Sequence, residues 1–160
     1  VDSAGSSAST SARVREFVAA AGIGADVAVN VTTFGDSADL QNGLADLVVA
    51  GTKRATTALL RWYGDDGEPL PRVGDLCVVV DGGGAPRCIY RIVRVDIMPF
   101  AEVDAAFAAD EGEGDGSLDY WRSAHRAFFE REAARYGFAF TEDLDVVLQR
   151  FEVVFVPENR

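Results

Sequence analysis

The sequence predicts an α+β fold, a mostly antiparallel β-barrel decorated by about four helices. Three observations predict it. Hydrophobic residues make up 48% and charged residues 26% of the 160 positions, a composition that supports a core of its own. Helical and strand-like periodicities follow one another without regular alternation, so a repeated strand–helix–strand unit is absent. In the middle of the chain the strand-like runs are joined by turns. The longer crossovers that parallel neighbours need are missing there.

The elements follow in order. Residues 1–10 carry no basic start and no long apolar block; they read as a flexible tail rather than a signal peptide, leaving residues 11–160 as one domain. Residues 11–21 read as a helix with Val14, Phe17, Val18 and Ala21 as its stripe, stopped by Gly22 and Gly24. A second helix spans 37–49, capped by Asp36 or Ser37 and broken by Gly51. Strand-like runs cover 57–63, 76–80, 88–97 and 146–156, separated by a long turn at 64–74 and a glycine turn at 81–84. A short helix is expected over 100–109, an acidic glycine-rich loop over 110–116, and the longest helix over 118–136, with Ser117 as its cap.

The net charge of −11 works against broad contact with RNA, DNA or anionic membranes, and no apolar stretch is long enough to span a bilayer. A local basic pocket for one nucleotide or a short strand is compatible with that charge. The two cysteines, Cys77 and Cys88, flank a glycine turn and read as buried thiols in a reducing, cytoplasmic setting rather than a cross-strand disulfide. No paired-cysteine spacing exists and His125 is the sole histidine, so neither a zinc site nor any other cofactor is expected.

Fourteen arginines accompany a single lysine, Lys53, in the segment Gly51-Thr-Lys-Arg-Ala-Thr56. A lysine can hold a phosphate, polarise a carbonyl or, when burial depresses its pKa, take a proton. Thr56 and Thr57 add hydroxyls that orient a ligand or water. The segment runs from helix to strand, so it is not a phosphate-binding loop of the nucleotide-hydrolase kind. His125 sits among aromatics on the long helix and can move a proton near neutrality. Glu111, Glu113 and Asp115 alternate with glycines just before that helix, and one of them can turn inward to pair with Lys53. Tyr120, Arg122 and Arg126, with Trp62 and Tyr63, can form a rim that stacks bases and holds phosphate.

Taken together, Phe34-Gly-Asp-Ser-Ala-Asp39, the Lys53 segment, Pro71-Arg-Val-Gly-Asp75, Pro99-Phe-Ala-Glu-Val103, Glu111-Gly-Glu-Gly-Asp115 and Tyr120-Trp-Arg-Ser-Ala-His125 resemble the ASCH-domain family over about residues 30–156. The resemblance implies a PUA-like β-barrel. It also implies roles among RNA binding, RNA cleavage and removal of an acetyl group from N4-acetylcytidine. Lys53 and Thr56 match the family's Gly-x-Lys-x-x-Thr signature. In its small amidohydrolase members a glutamate from a barrel strand is the third partner. That position falls on Arg91 here, so Glu111 or Glu113 would have to supply the carboxylate. The candidate catalytic residues are then Lys53, Thr56, Glu113 and His125. The candidate substrate-binding residues are Arg54, Trp62, Arg91, Glu111, Tyr120, Trp121 and Arg122. With Arg91 and Lys53 facing one phosphate, the expected activity is that of a metal-independent ribonuclease on short single-stranded RNA or a nucleotide. N4-acetylcytidine amidohydrolysis and a non-catalytic nucleotide-binding module are the alternatives. The oligomeric state, monomer or homodimer, stays open.

Overall fold

Each of the four described α-helices starts at a side chain that satisfies one of its otherwise unpartnered first-turn amides. In the computed structural model, which describes residues 11–158, α1 (Ala12–Ala20) begins where the Ser11 hydroxyl accepts the Val14 amide. The expected tail at 1–10 lies outside the described residues. Ser37 caps α2 (Ala38–Val49), Asp104 caps α3 (Ala105–Glu111) and Ser117 caps α4 (Leu118–Tyr136) in the same way. The helix expected over 100–109 is two pieces. A 3-10 turn covers Phe100–Glu102, the chain then extends through Val103 and Asp104, and Asp104 restarts it as α3.

Five strands form one sheet: β1 (Val29–Thr32), β2 (Ala55–Leu59), β3 (Leu76–Val80), β4 (Pro86–Pro99) and β5 (Asp145–Phe155), in the order β1-β3-β4-β5-β2. Three of the pairings are antiparallel, and β1 runs parallel to β3. The four residues of β1 carry too short a pattern to read from sequence. The strand expected over 57–63 starts two residues earlier and turns into a 3-10 segment at Leu60–Trp62.

The expected barrel is not closed. Closure requires the two edge strands to hydrogen-bond, and here β1 and β2 end the sheet on opposite sides. Both edges are short. Asn30 and Thr32 of β1 and Thr56 and Ala58 of β2 instead line a common cleft of about 750 Å³. The sheet curls far enough to bring the edges to one cavity, helped by register shifts in β4 at Ile89/Tyr90 and Ile92/Arg94, which bend a long strand.

The helices cover the sheet. On one side α4 and α3 bury Trp121, Phe129 and Phe107 with Phe100, Leu59 and Leu148. Leu44 and Val48 of α2 pack with Tyr90, Ile92 and Phe151, and Val14 of α1 packs on Val78, Val80 and Ile89. Cys77 stands opposite Tyr90 and Cys88 opposite Val79, so the two thiols are not cross-strand partners; both are buried and neither is in a disulfide. Burial pushes the Cys88 thiol up to about 12, which keeps it protonated.

Candidate functional site

The turn from α2 into β2 delivers Lys53. Gly51 adopts the left-handed region (φ 80°), and the amides of Thr52 and Lys53 both donate to the Leu47 carbonyl, closing α2. The lysine side chain then runs inward and is 1% exposed. Its ammonium donates to the Ala55 carbonyl at 2.8 Å and to Glu111 Oε1 and Glu113 Oε1, each at 3.2 Å. It also lies 5.1 Å from the centre of the Phe34 ring.

The two carboxylates arrive from the C-terminus of α3. Glu111 is its last residue, and Gly112 ends it with φ 67°. A Cβ on Gly112 would come 2.1 Å from the Thr52 carbonyl oxygen, and one on Gly114 would come 2.5 Å from the Tyr120 ring. The glycines between the acids therefore let the loop pack directly against the lysine turn and α4. The Arg54 amide donates to the Asp110 carbonyl at 2.7 Å and pins the same junction.

Glu111 is the hub. Its Oε1 accepts from Lys53 and stands 2.8 Å from His125 Nε2; its Oε2 accepts from the Thr57 hydroxyl at 2.8 Å and the Trp121 indole at 2.5 Å. The His125 ring stacks on Trp121 at 4.4 Å, and its Nδ1 lies 2.9 Å from the Trp121 carbonyl. Both ring nitrogens face acceptors, so the doubly protonated imidazolium fits the site. Two cations, Lys53 and His125, then balance two carboxylates, Glu111 and Glu113.

The pKa directions follow from this packing. Burial is the largest influence on Glu111 and opposes its charge, but His125 and Lys53 outweigh it and hold the carboxyl well below the usual range. Burial likewise opposes the charge on Lys53, and Glu111 and Glu113 overcome it and raise its pKa. The same contest, decided chiefly by Glu111, raises that of His125.

This cluster can therefore donate from an ammonium and hold fixed dipoles. Lys53 is not a free base, and Glu111 has its acceptor capacity filled. Glu113 keeps acceptor capacity: its side chain is 18% exposed and Lys53 is its one side-chain partner among the described residues. Ligand atoms of Glu111, Glu113 and His125 lie within 4.8 Å of one another, a spacing a metal ion could bridge. The lysine ammonium already bonds both carboxylates there, so the chain supplies its own cation.

Of the residues singled out from sequence, Lys53, Glu111, Glu113, Trp121 and His125 meet in this cluster. Thr56 lines the cleft opposite Gln149 of β5. The others stand apart. Arg91 was expected beside Lys53; it is exposed and pairs with Glu152, because along β4 its neighbours Tyr90 and Ile92 take the cleft side. Arg54 is exposed and pairs with Asp110. Trp62 packs edge-on against Tyr136 and Phe138. Tyr120 is exposed beside Gly114, and Arg122 is half-buried on α4 without lining the cleft. Arg126 pairs with Glu142.

The residue that joins cluster to cleft is Thr57, which lines the cleft while its hydroxyl is bonded to Glu111. Sequence reasoning named its hydroxyl but ranked Thr56 first. It passed over Gln149, whose signal was available: a buried polar residue inside the apolar run of β5.

The fold agrees with what the chain is similar to. A family model described as ASCH domain matches residues 30–155. The crystal structure of an ASCH domain from Lactobacillus crispatus JV V101 superposes with a TM-score of 0.84 at 37% identity, covering 92% of this chain and 97% of that one. A crystal structure of a protein from Enterococcus faecalis V583 gives a TM-score of 0.77 at 36% identity, covering 91% of this chain and 92% of that one. No curated protein matches the sequence. No described helix is long and apolar enough to cross a membrane. With a family match over most of its length and two solved relatives of the same architecture, the chain belongs to the ASCH-domain family of the PUA-like superfamily.

Proposed function

We propose that the protein binds one nucleoside or nucleotide in the cleft and hydrolyses an acyl amide on it. The reaction is the one implied by the resemblance to the small amidohydrolases of the family. The observation that carries the reading is the double membership of Thr57, a wall of the cleft and a ligand of Glu111. A cleft of about 750 Å³ suits a single nucleoside rather than a coated strand, and the net charge of −11 opposes long RNA.

The roles follow from the protonation states. The Thr57 hydroxyl spends its proton on Glu111, so its oxygen is left as an acceptor that orients water or a ligand N–H, with Thr56 beside it. Lys53, cationic and set back from the cleft behind Phe34 and the Thr57–Glu111 pair, favours negative charge developing on a carbonyl oxygen. Glu113 lies outside the cleft lining but keeps acceptor capacity. Through an intervening water it takes a proton from the water that attacks the acyl carbon and returns it to the amine nitrogen as the C–N bond breaks, leaving the free acid and the amine. The carboxylate that the family pattern seemed to lose at Arg91 thus comes from the end of α3 and the loop after it. The ribonuclease reading depended on Arg91 as a second cation and on a mobile proton at His125. Arg91 is paired with Glu152, and both nitrogens of His125 are engaged.

The test is acetate release from N4-acetylcytidine, with cytidine binding and a short single-stranded RNA run in parallel. Release that is lost in Lys53→Met and Thr57→Val supports the proposal. Binding without product reduces the protein to a recognition module. Cyclic-phosphate ends on the RNA would restore the ribonuclease.

A further inference from the structure

Two connections join the two sides of the open seam, α2 between the edge strands β1 and β2, and the segment between β2 and β3. Strand β2 is one edge, and β3 neighbours the other edge strand, β1, so the segment joining β2 to β3 passes across the gap. Tyr63 and residues 68–72 of that segment line the cleft, among them Glu68 and Arg72. Neither side chain forms an ion pair or side-chain hydrogen bond with any described residue, although the described surface is rich in arginine–carboxylate pairs. The nearest acid in sequence, Asp75, uses its Oδ2 to accept the Arg72 backbone amide at 2.9 Å.

The strap is held in place. The Glu68 amide donates to the Trp62 carbonyl at 3.1 Å, and the Gly64 amide donates to the Glu68 carbonyl at 3.0 Å. Gly67 fits tightly, since a Cβ there would come 2.5 Å from the Trp62 carbonyl oxygen. Pro69 and Pro71 restrict the backbone between the two charged residues. Beyond Arg72, the Gly74 amide is anchored to the Ile92 carbonyl of β4 at 2.8 Å. Two opposite charges without partners among the described residues are thus mounted on a braced segment facing one cavity. Burial pushes the Glu68 carboxyl upward.

We infer that this strap reads the two ends of the ligand: Glu68 accepts from an amino-bearing base edge and Arg72 holds an anionic arm. The preferred ligand is then a nucleoside monophosphate with an exocyclic amino group, in preference to the uncharged nucleoside. Arginine suits the phosphate because its planar fork presents paired donors. A carboxylate suits an amino edge because it only accepts. The inference rests on the proposed placement of the nucleoside in the cleft and adds to it the class of ligand and the residues that select it.

Calorimetric titration of the full chain with cytidine, cytidine 5′-monophosphate, uridine and inorganic phosphate tests it. The wild type is expected to bind the monophosphate about tenfold or more tighter than cytidine, the gain of one charge-assisted contact. Arg72→Met should erase that gain and leave cytidine affinity unchanged. Glu68→Leu should erase a preference for cytidine over uridine. Inorganic phosphate should compete with the monophosphate but not with cytidine. Both positions are at least partly exposed, and an unchanged thermal midpoint confirms the folded variants. If the wild type binds cytidine with no gain from the phosphate, or if Arg72→Met weakens both ligands alike, the inference fails while the cleft reading stands. If neither ligand binds, the cleft reading falls and takes the inference with it.

Discussion

Arginine, lysine and carboxylates meet in two different ways in this molecule. On the outer face of β4 and β5, Arg91 pairs with Glu152 and Arg94 with Asp96 in water, on side chains that are mostly half-exposed or more. Inside, Lys53, Glu111 and His125 are almost fully excluded from water and share one carboxylate with a hydroxyl and an indole. The chemistry of the groups is similar; the surroundings are not. In the first setting solvent screens each charge and each pair contributes little. In the second, every charge depends on its partners, because removing one leaves another buried without compensation. This chain concentrates its electrostatics at the junction of α2, α3 and α4, behind the cleft.

Removing the hub breaks the comparison most severely. Glu111→Gln keeps the shape but leaves the imidazolium of His125 and the ammonium of Lys53 with one carboxylate between them. The expected loss is about 3–5 kcal/mol, read from urea unfolding. A loss under about 1 kcal/mol would place the cluster with the surface pairs. Adding Lys53→Met to that variant should restore part of the loss, since the uncompensated cation leaves with its counter-ion.

Gly112→Ala attacks the geometry that brings the acids to the lysine rather than the charges themselves. The position has φ 67° and no room for a methyl group against Thr52. The left-handed conformation and the displaced contact together should cost about 2–3 kcal/mol in the same urea experiment. Gly137→Ala is the control: its φ is 76°, but nothing lies within 4 Å of the added Cβ, so it should show the conformational cost alone.

The dependence on pH sharpens the contrast further. His125 has a raised folded pKa, so its contribution is complete below its ordinary value of 6.5 and is lost as pH rises through the folded value. Glu111 has a lowered one, so its contribution is complete above its ordinary 4.5 and is lost as pH falls through the folded value. Lys53, raised, contributes fully at all pH values below its ordinary 10.5. The cluster is thus most stabilising between 4.5 and 6.5. The urea midpoint should fall from about pH 6 to about pH 9, and His125→Gln should flatten that slope. An unaltered slope in the variant would mean that His125 is neutral in the folded protein.

The legible parts of the molecule are those encoded locally. Serine and aspartate caps, glycine stops and apolar stripes mark the helices, and the lone lysine after Gly51 marks the turn where the cluster begins. The alternation of acids with glycines at 111–115 was readable as a loop from which one carboxylate could turn inward; glycine permits the close approach that Gly112 makes to Thr52. What was not legible depends on distant pairing. Whether β1 and β2 seal the sheet is decided by two edges far apart in sequence, and four residues of β1 carry almost no pattern. The choice between Thr56 and Thr57 turns on which strand face meets α3. Arg91 was misplaced although its neighbours held the answer: Tyr90 and Ile92 are both inward, so strand alternation sends the residue between them outward.

The smallest expected effect tests that last point. Arg91→Ala removes an exposed guanidinium 3.5 Å from Glu152, with both side chains about half-exposed. An isolated pair in water offers about 0–0.5 kcal/mol, and nothing buried loses a partner when it goes. The urea midpoint should barely move, and acetate release and cytidine binding should match the wild type, since Arg91 lines no part of the cleft. A large loss of either activity at unchanged stability would bring the outer face of β4 into contact with the ligand. The division between a working interior and a passive exterior would then have to be redrawn.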